Sequence, residues 1–119
     1  MGLDNFWVKP GLVDEDGQEE VFELEGLKVS LCGGMLSGNG SGSFRGKVYA
    51  EVVEEATGIS LYSDRLTNEQ VMTIASLLQK NKPSEFPTGP WETTEEEYNN
   101  LIEMFQAYGE AGAELVSCY

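Results

Sequence analysis

Apolar residues change their spacing several times along this chain, and each change predicts an element. Near the start, "LDNFWVK" gathers bulky apolar and aromatic residues and stops at Pro10, which reads as a short strand. Residues 10–20 then read as an acidic, mobile loop. In "VFELEGLKVSLC", Val21 and Phe22 are followed by strict alternation at Leu27, Val29 and Leu31. That is the pattern of one or two strands half-buried on a sheet face, with Gly26 placed to bend or bulge them.

The period then becomes helical. In "GKVYAEVVEEATG", Val48, Tyr49, Val52, Val53 and Ala56 fall on one stripe, and Gly58 stands where a helix would end. "ISLYS" (59–63) reads as a strand. "TNEQVMTIASLLQKN" carries a capping box of Thr67 with Gln70, a stripe of Val71, Ile74, Ala75 and Leu78, and Pro83 beyond its end. The loop "KPSEFPTGPWE" holds three of the four prolines and is expected to be extended and turn-rich. A third helix should start at Thr93 or Thr94, capped by Glu96 or Glu97, and bury Tyr98, Leu101, Ile102, Phe105 and Tyr108. Glu95, Glu96 and Glu97 suit its first turn, where the helix dipole favours negative charge. "AELVSCY" fits either a last strand or a continuation of that helix.

Early strands, late helices and short connections predict a single α+β domain over 1–119: a small, mainly antiparallel sheet with about three helices on one face. An open opposite face would suit a partner. The length of 119 residues and 40% hydrophobic content suffice for one modest core. No apolar run reaches the length of a membrane helix, and "MGLDNFWVKP" lacks the regions of a secretion signal, so a soluble, cytoplasmic protein is expected.

Charge narrows the partners. The net charge of −14 disfavours direct contact with DNA or RNA, which needs clustered Lys and Arg. The charge is also uneven. Residues 14–25, "DEDGQEEVFELE", hold seven acids and no base, whereas 26–50 hold Lys28, Arg45 and Lys47 and no acid. The acidic excess serves either solubility or the attraction of a basic protein partner. Cys32 and Cys118 are too few for a disulfide framework and, with no histidine in the chain, too few for a zinc site. The absent histidine also removes the commonest general base. No cofactor or metal is expected.

The one stretch that suggests ligand chemistry is the Gly/Ser-rich loop at 33–46, which holds six of the fourteen glycines. It lies between a predicted strand and a predicted helix, where backbone N–H groups and a helix N-terminus attract anions. Its ligand-binding candidates are Gly38, Gly40, Ser41, Gly42, Ser43, Arg45 and Lys47, joined by Asp64 at the end of "ISLYS", where a dinucleotide fold places a ribose-binding acid. The spelling departs from both standard phosphate motifs. For GxxxxGK[ST], Gly40 and Gly42 each miss the required position by one residue, and Val48 replaces the hydroxyl residue; for GxGxxG, the gap from Gly42 to Gly46 is one too long. Flexible slack is the competing explanation, although Met35, Leu36 and Phe44 would let the run fold back on the body.

Other constellations are weaker. "DEDG" opens like a calcium loop with Glu25 at the twelfth position, but Gly17 sits two places before the required glycine. Glu54 and Glu55 are adjacent and so point apart on a helix. Trp7, Trp91, Phe86 and Tyr119 read as core or interface anchors. The opening "MGLDNFW" and the segment "LCGGMLSGNGSGSFRGKVY" resemble small phage-encoded proteins of unknown function. The resemblance covers under a quarter of the chain and implies an accessory or host-directed factor made inside a bacterium. The expected function is therefore a non-catalytic binding protein for a protein partner, basic in character, or for a small anionic ligand. The alternatives are an enzyme acting on a phosphorylated or nucleotide-like substrate, and a structural or oligomer-forming component.

Overall fold

The computed structural model describes residues 3–22, 24, 43–86 and 93–118, and these form a four-stranded antiparallel sheet with three helices packed against it. Strand β1 is Asp4–Val8, β2 is Ser43–Phe44, β3 is Arg65–Leu66 and β4 is Glu114–Cys118; the helices are α1 (Gly46–Thr57), α2 (Asn68–Lys80) and α3 (Glu95–Glu110). The strand order is β2-β1-β4-β3, so the two long strands, from opposite ends of the chain, lie at the centre. Asn5 pairs with Phe44 on one side and Ser117 on the other, while Trp7 pairs with Leu115, which pairs in turn with Leu66.

Pairing partners share a face, so Leu3, Asn5, Trp7, Phe44, Leu66 and Leu115 all point toward the helices. Trp7 anchors the core: its ring stacks on Tyr108 at 4.5 Å between centroids and meets the edge of Phe105 at 5.1 Å. The predicted stripe of α2, Val71, Ile74, Ala75 and Leu78, is buried as expected. In α3, Tyr98, Leu101, Phe105 and Tyr108 are buried, Ile102 is half-buried, and Met104 and Gly109 join the buried set. The opposite face is not left open. Val8 and Ser43, which point away from the helices, are both buried, and Phe6 and Val116 are half-buried.

Local chemistry sets the boundaries. Gly58, in the left-handed region at φ 74°, ends α1 by donating its N–H to the Glu54 carbonyl. Both expected capping boxes form, Thr67 with Gln70 and Thr94 with Glu97. Gly112, at φ 84°, lets the Ala113 N–H donate to the Tyr108 carbonyl, and the chain leaves α3 directly into β4. The ambiguous tail is thus a strand.

One expectation needs correction. "ISLYS" is not a strand. Ser60 Oγ accepts from the Tyr62 N–H, the Ser63 N–H donates to the Ser60 carbonyl, and the Leu61 carbonyl is taken by Asn5 Nδ2 at 3.1 Å. A serine-built turn wins over strand propensity here, and Leu61 plugs the core instead of extending the sheet. In the acidic loop, residues 13–19 form a defined turn: Asp14 Oδ1 accepts from the N–H groups of Asp16 and Gln18, and Val13 and Glu19 form a bridge. The strands expected in 21–32 lie outside the described residues, apart from Val21, Phe22 and Leu24, none of which is in a strand. No described helix is long and apolar enough to cross a membrane.

Candidate functional site

The glycine-rich segment enters the described structure at Ser43; Gly38, Gly40, Ser41 and Gly42 lie outside it, as do Cys32, Trp91 and Tyr119. Ser43 sits in β2 with its Oγ buried and, among the described residues, without a hydrogen-bond partner, so it is turned away from any exposed ligand. Arg45 is the N-cap of α1, supplies no side-chain cap and is exposed; Lys47, one residue into the helix, is exposed as well. These two cations therefore stand together at the positive end of α1, whose first turn has no acid.

Gly46, between them, has a packing role. A β-carbon there would overlap Asn5 Oδ1 and approach Leu3 Cδ2 to 2.9 Å. The bare backbone lets the start of α1 press onto β1, where the Lys47 N–H donates to the Leu3 carbonyl at 3.1 Å.

Asp64 is not brought to this place. Its carbonyl accepts from the Ser117 N–H at 3.2 Å, which puts it in one row with Ser117, Asn5 and Phe44 across the sheet. Three interstrand spacings then separate it from Phe44, about 14 Å. Asp64 and the start of α1 do not stand as the acid and helix of a dinucleotide fold do, because β2 and β3 are opposite edges of an antiparallel sheet.

Arg65, next to Asp64, has a structural task. Its Nε donates to Glu114 Oε1 at 2.6 Å and its Nη2 to Glu19 Oε2 at 2.7 Å, clamping the acidic turn onto β3 and β4. The hydrogen bonds from Arg65 hold the Glu19 carboxyl below the usual carboxylate range, and those to Glu19 and Glu114 raise the Arg65 guanidinium further. Lys82 pairs with Glu95 at 3.0 Å. By contrast, Glu51, Glu54 and Glu55 on α1 and Glu96, Glu103 and Glu110 on α3 are exposed and form no ion pair among the described residues. Helix α2, which packs against both α1 and α3, exposes mostly neutral side chains between them, with Met72 among them.

Sequence reasoning did not single out Met72, Gly109 or the clamp role of Arg65. The first two were hidden because an exposed methionine and a helical glycine become informative only when their neighbours are known. Among the described residues, no group of three or more His, Cys, Asp or Glu side chains is placed to hold a metal ion. Comparison with family models, with curated proteins and with solved structures finds no match to this chain.

Proposed function

We propose that this protein is a non-catalytic binding protein whose partner is a basic protein. The observation that carries this reading is the distribution of carboxylates. Acids at Glu19, Glu95, Glu97 and Glu114 are engaged by Arg65, Lys82 and the α3 cap, whereas those along the exposed faces of α1 and α3 form no ion pair among the described residues. Such surfaces attract and orient a cationic partner at long range. The resemblance to small phage-encoded proteins would make that partner a host protein met in the cytoplasm. The test is titration of oligolysine and purified basic proteins at about 50 and 300 mM salt, where the Debye length falls from roughly 14 to 6 Å. Binding that weakens strongly with salt and with Glu51, Glu54, Glu55, Glu96 and Glu103 changed to Gln supports the reading. No binding at low salt would leave solubility as the role of the acids.

A second reading rests on Arg45 and Lys47. Cations at a helix N-terminus oppose the dipole, at a cost of about 0.3–1 kcal/mol each, and an anionic ligand seated there would offset it. Asp64 has no part in such a site, which weakens the version in which it acts as a catalytic base. Calorimetric titration of phosphate and nucleotides checks this reading, and absence of heat rejects it.

A further inference from the structure

The three helices leave a groove of about 150 Å³ between α2 and α3, lined by Met72, Ala75, Ser76, Gln79, Gln106 and Glu110. Ala75 forms its floor, and Gln79 Nε2 donates to Gln106 Oε1 across one end at 3.0 Å. Met72 is 39% exposed although it belongs to a helix with a well-buried stripe. Its side chain lies over Gly109, where a β-carbon would overlap Sδ and approach Cγ to 3.2 Å. In the last turn of α3, the missing side chain of Gly109 leaves room beside Met72. The result is an accessible, flexible thioether on the scale of one side chain, too small a space for a metabolite, whose pockets are usually about 300 Å³ or more.

We infer that this groove receives a basic amphipathic helix of the partner, with one apolar side chain seated against Met72 and its Lys or Arg side chains meeting Glu110 and the neighbouring Glu69 and Glu103. The inference rests on the proposed reading of the protein as a binder of a basic protein, and it names the contact. Two antiparallel helices with Met72 and Ala75 between polar neighbours offer room for one apolar side chain of a docked helix, and methionine adapts to different occupants. Charge selects the occupant: Glu69, Glu103 and Glu110 are exposed on the two helices that form the groove and outnumber the exposed Lys80 at its end, so a cationic helix is attracted and a second copy of this chain, at −14, is repelled.

The experiment compares an 18-residue amphipathic Leu/Lys peptide with an oligolysine of equal charge, by fluorescence anisotropy at low salt. The Leu/Lys peptide should bind at least about tenfold more tightly, a difference of about 1.4 kcal/mol. Met72→Ser, an exposed change that spares the core, should bring its affinity down to that of oligolysine. Gly109→Ala, which displaces Met72 without touching any charge, should do the same if circular dichroism shows it folded. Equal binding of the two peptides, or a Leu/Lys preference that survives Met72→Ser, overturns the groove while leaving the basic-partner reading in place. Failure of both peptides to bind overturns that reading as well. A dimer in light scattering that Met72→Ser dissolves assigns the groove to a second copy and also overturns the inference.

Discussion

Replacing Gly46 by alanine tests whether this glycine serves a ligand loop or the packing of α1 on the sheet. The new methyl group would be driven into Asn5 Oδ1. Asn5 is 1% exposed, and its amide is held by the Leu61 carbonyl, so it has no solvent to swing into. Forcing it aside gives up the Asn5–Leu61 bond and leaves buried polar groups unpaired, at about 1–3 kcal/mol. Residual overpacking against Leu3 adds about 1–3 kcal/mol. Alanine's better helix propensity returns at most about 1 kcal/mol. The net expectation for Gly46→Ala is a loss of about 2–4 kcal/mol, read as a fall in melting temperature of roughly 6–15 °C for a domain of this size. Urea unfolding followed by circular dichroism gives the free energy directly. The mechanism makes a second demand. Asn5→Ala removes the obstructing atom, so Gly46→Ala should cost at least about 1 kcal/mol less in that background than in the natural chain. A single variant within about 0.5 kcal/mol of the parent, or strictly additive effects in the cycle, would refute the packing role.

Three further outcomes follow from the same geometry. Thr94→Ala removes the α3 capping box and should cost about 1 kcal/mol, measured by urea unfolding; a neutral result would mean that water replaces the cap without loss. Glu19→Gln probes the Arg65 clamp: because the folded carboxyl is held below its unfolded value, its stabilisation is complete at neutral pH and disappears as the pH falls through the lowered value. The pair is exposed, so the variant should be less stable by no more than about 1 kcal/mol at pH 7, and the gap should narrow below about pH 4; a gap that stays constant with pH would contradict the charge-based account. Arg45→Gln with Lys47→Gln should leave the fold intact and raise stability by a few tenths of a kcal/mol to about 1 kcal/mol, since both cations oppose the α1 dipole; destabilisation would show that these side chains make structural contacts beyond those among the described residues.

The fold was legible where local signals and burial agree. Thr67 with Gln70 and Thr94 with Glu97 marked two helix starts, and the apolar stripe of α2 predicted its buried side residue by residue. Gly112 also carried the answer to the ambiguous tail: a glycine just past Tyr108 and Glu110 is where a helix turns out through a left-handed residue. "ISLYS" misled because its apolar content is that of a strand while its hydroxyls build a turn, and the deciding partner, Asn5, is 56 residues from Leu61. Strand β3 escaped notice because two residues, Arg65 and Leu66, carry no periodicity at all. The candidate site was legible only in part. Composition located Arg45 and Lys47 at the start of a helix, but Asp64 was grouped with them by the position of the acid in a dinucleotide fold, and only strand order could reveal the opposite edges.

The acids divide by what they touch, and that division turns a bulk charge into a functional argument. Sequence alone explains Glu95, Glu96 and Glu97 together as residues of a first helical turn. In the structure Glu97 completes the cap and also accepts from the Tyr49 hydroxyl at 2.6 Å, and Glu95 meets Lys82, while Glu96 is exposed with neither contact. Asp14 shapes its turn, and Glu19 and Glu114 hold Arg65. Once these tasks are assigned, Glu51, Glu54 and Glu55 on α1 and Glu96, Glu103 and Glu110 on α3 remain exposed on two helices that flank α2, together with Glu15, Asp16 and Glu20 of the acidic turn, Glu69 on α2 and Glu85. Within α1, Glu51 and Glu55 lie one turn apart on the same face, an arrangement that disfavours the helix by a few tenths of a kcal/mol, offset in part by Lys47 one turn before Glu51. A cationic partner laid along the helical layer would relieve that repulsion, so the same residues that weaken the free protein would strengthen the complex.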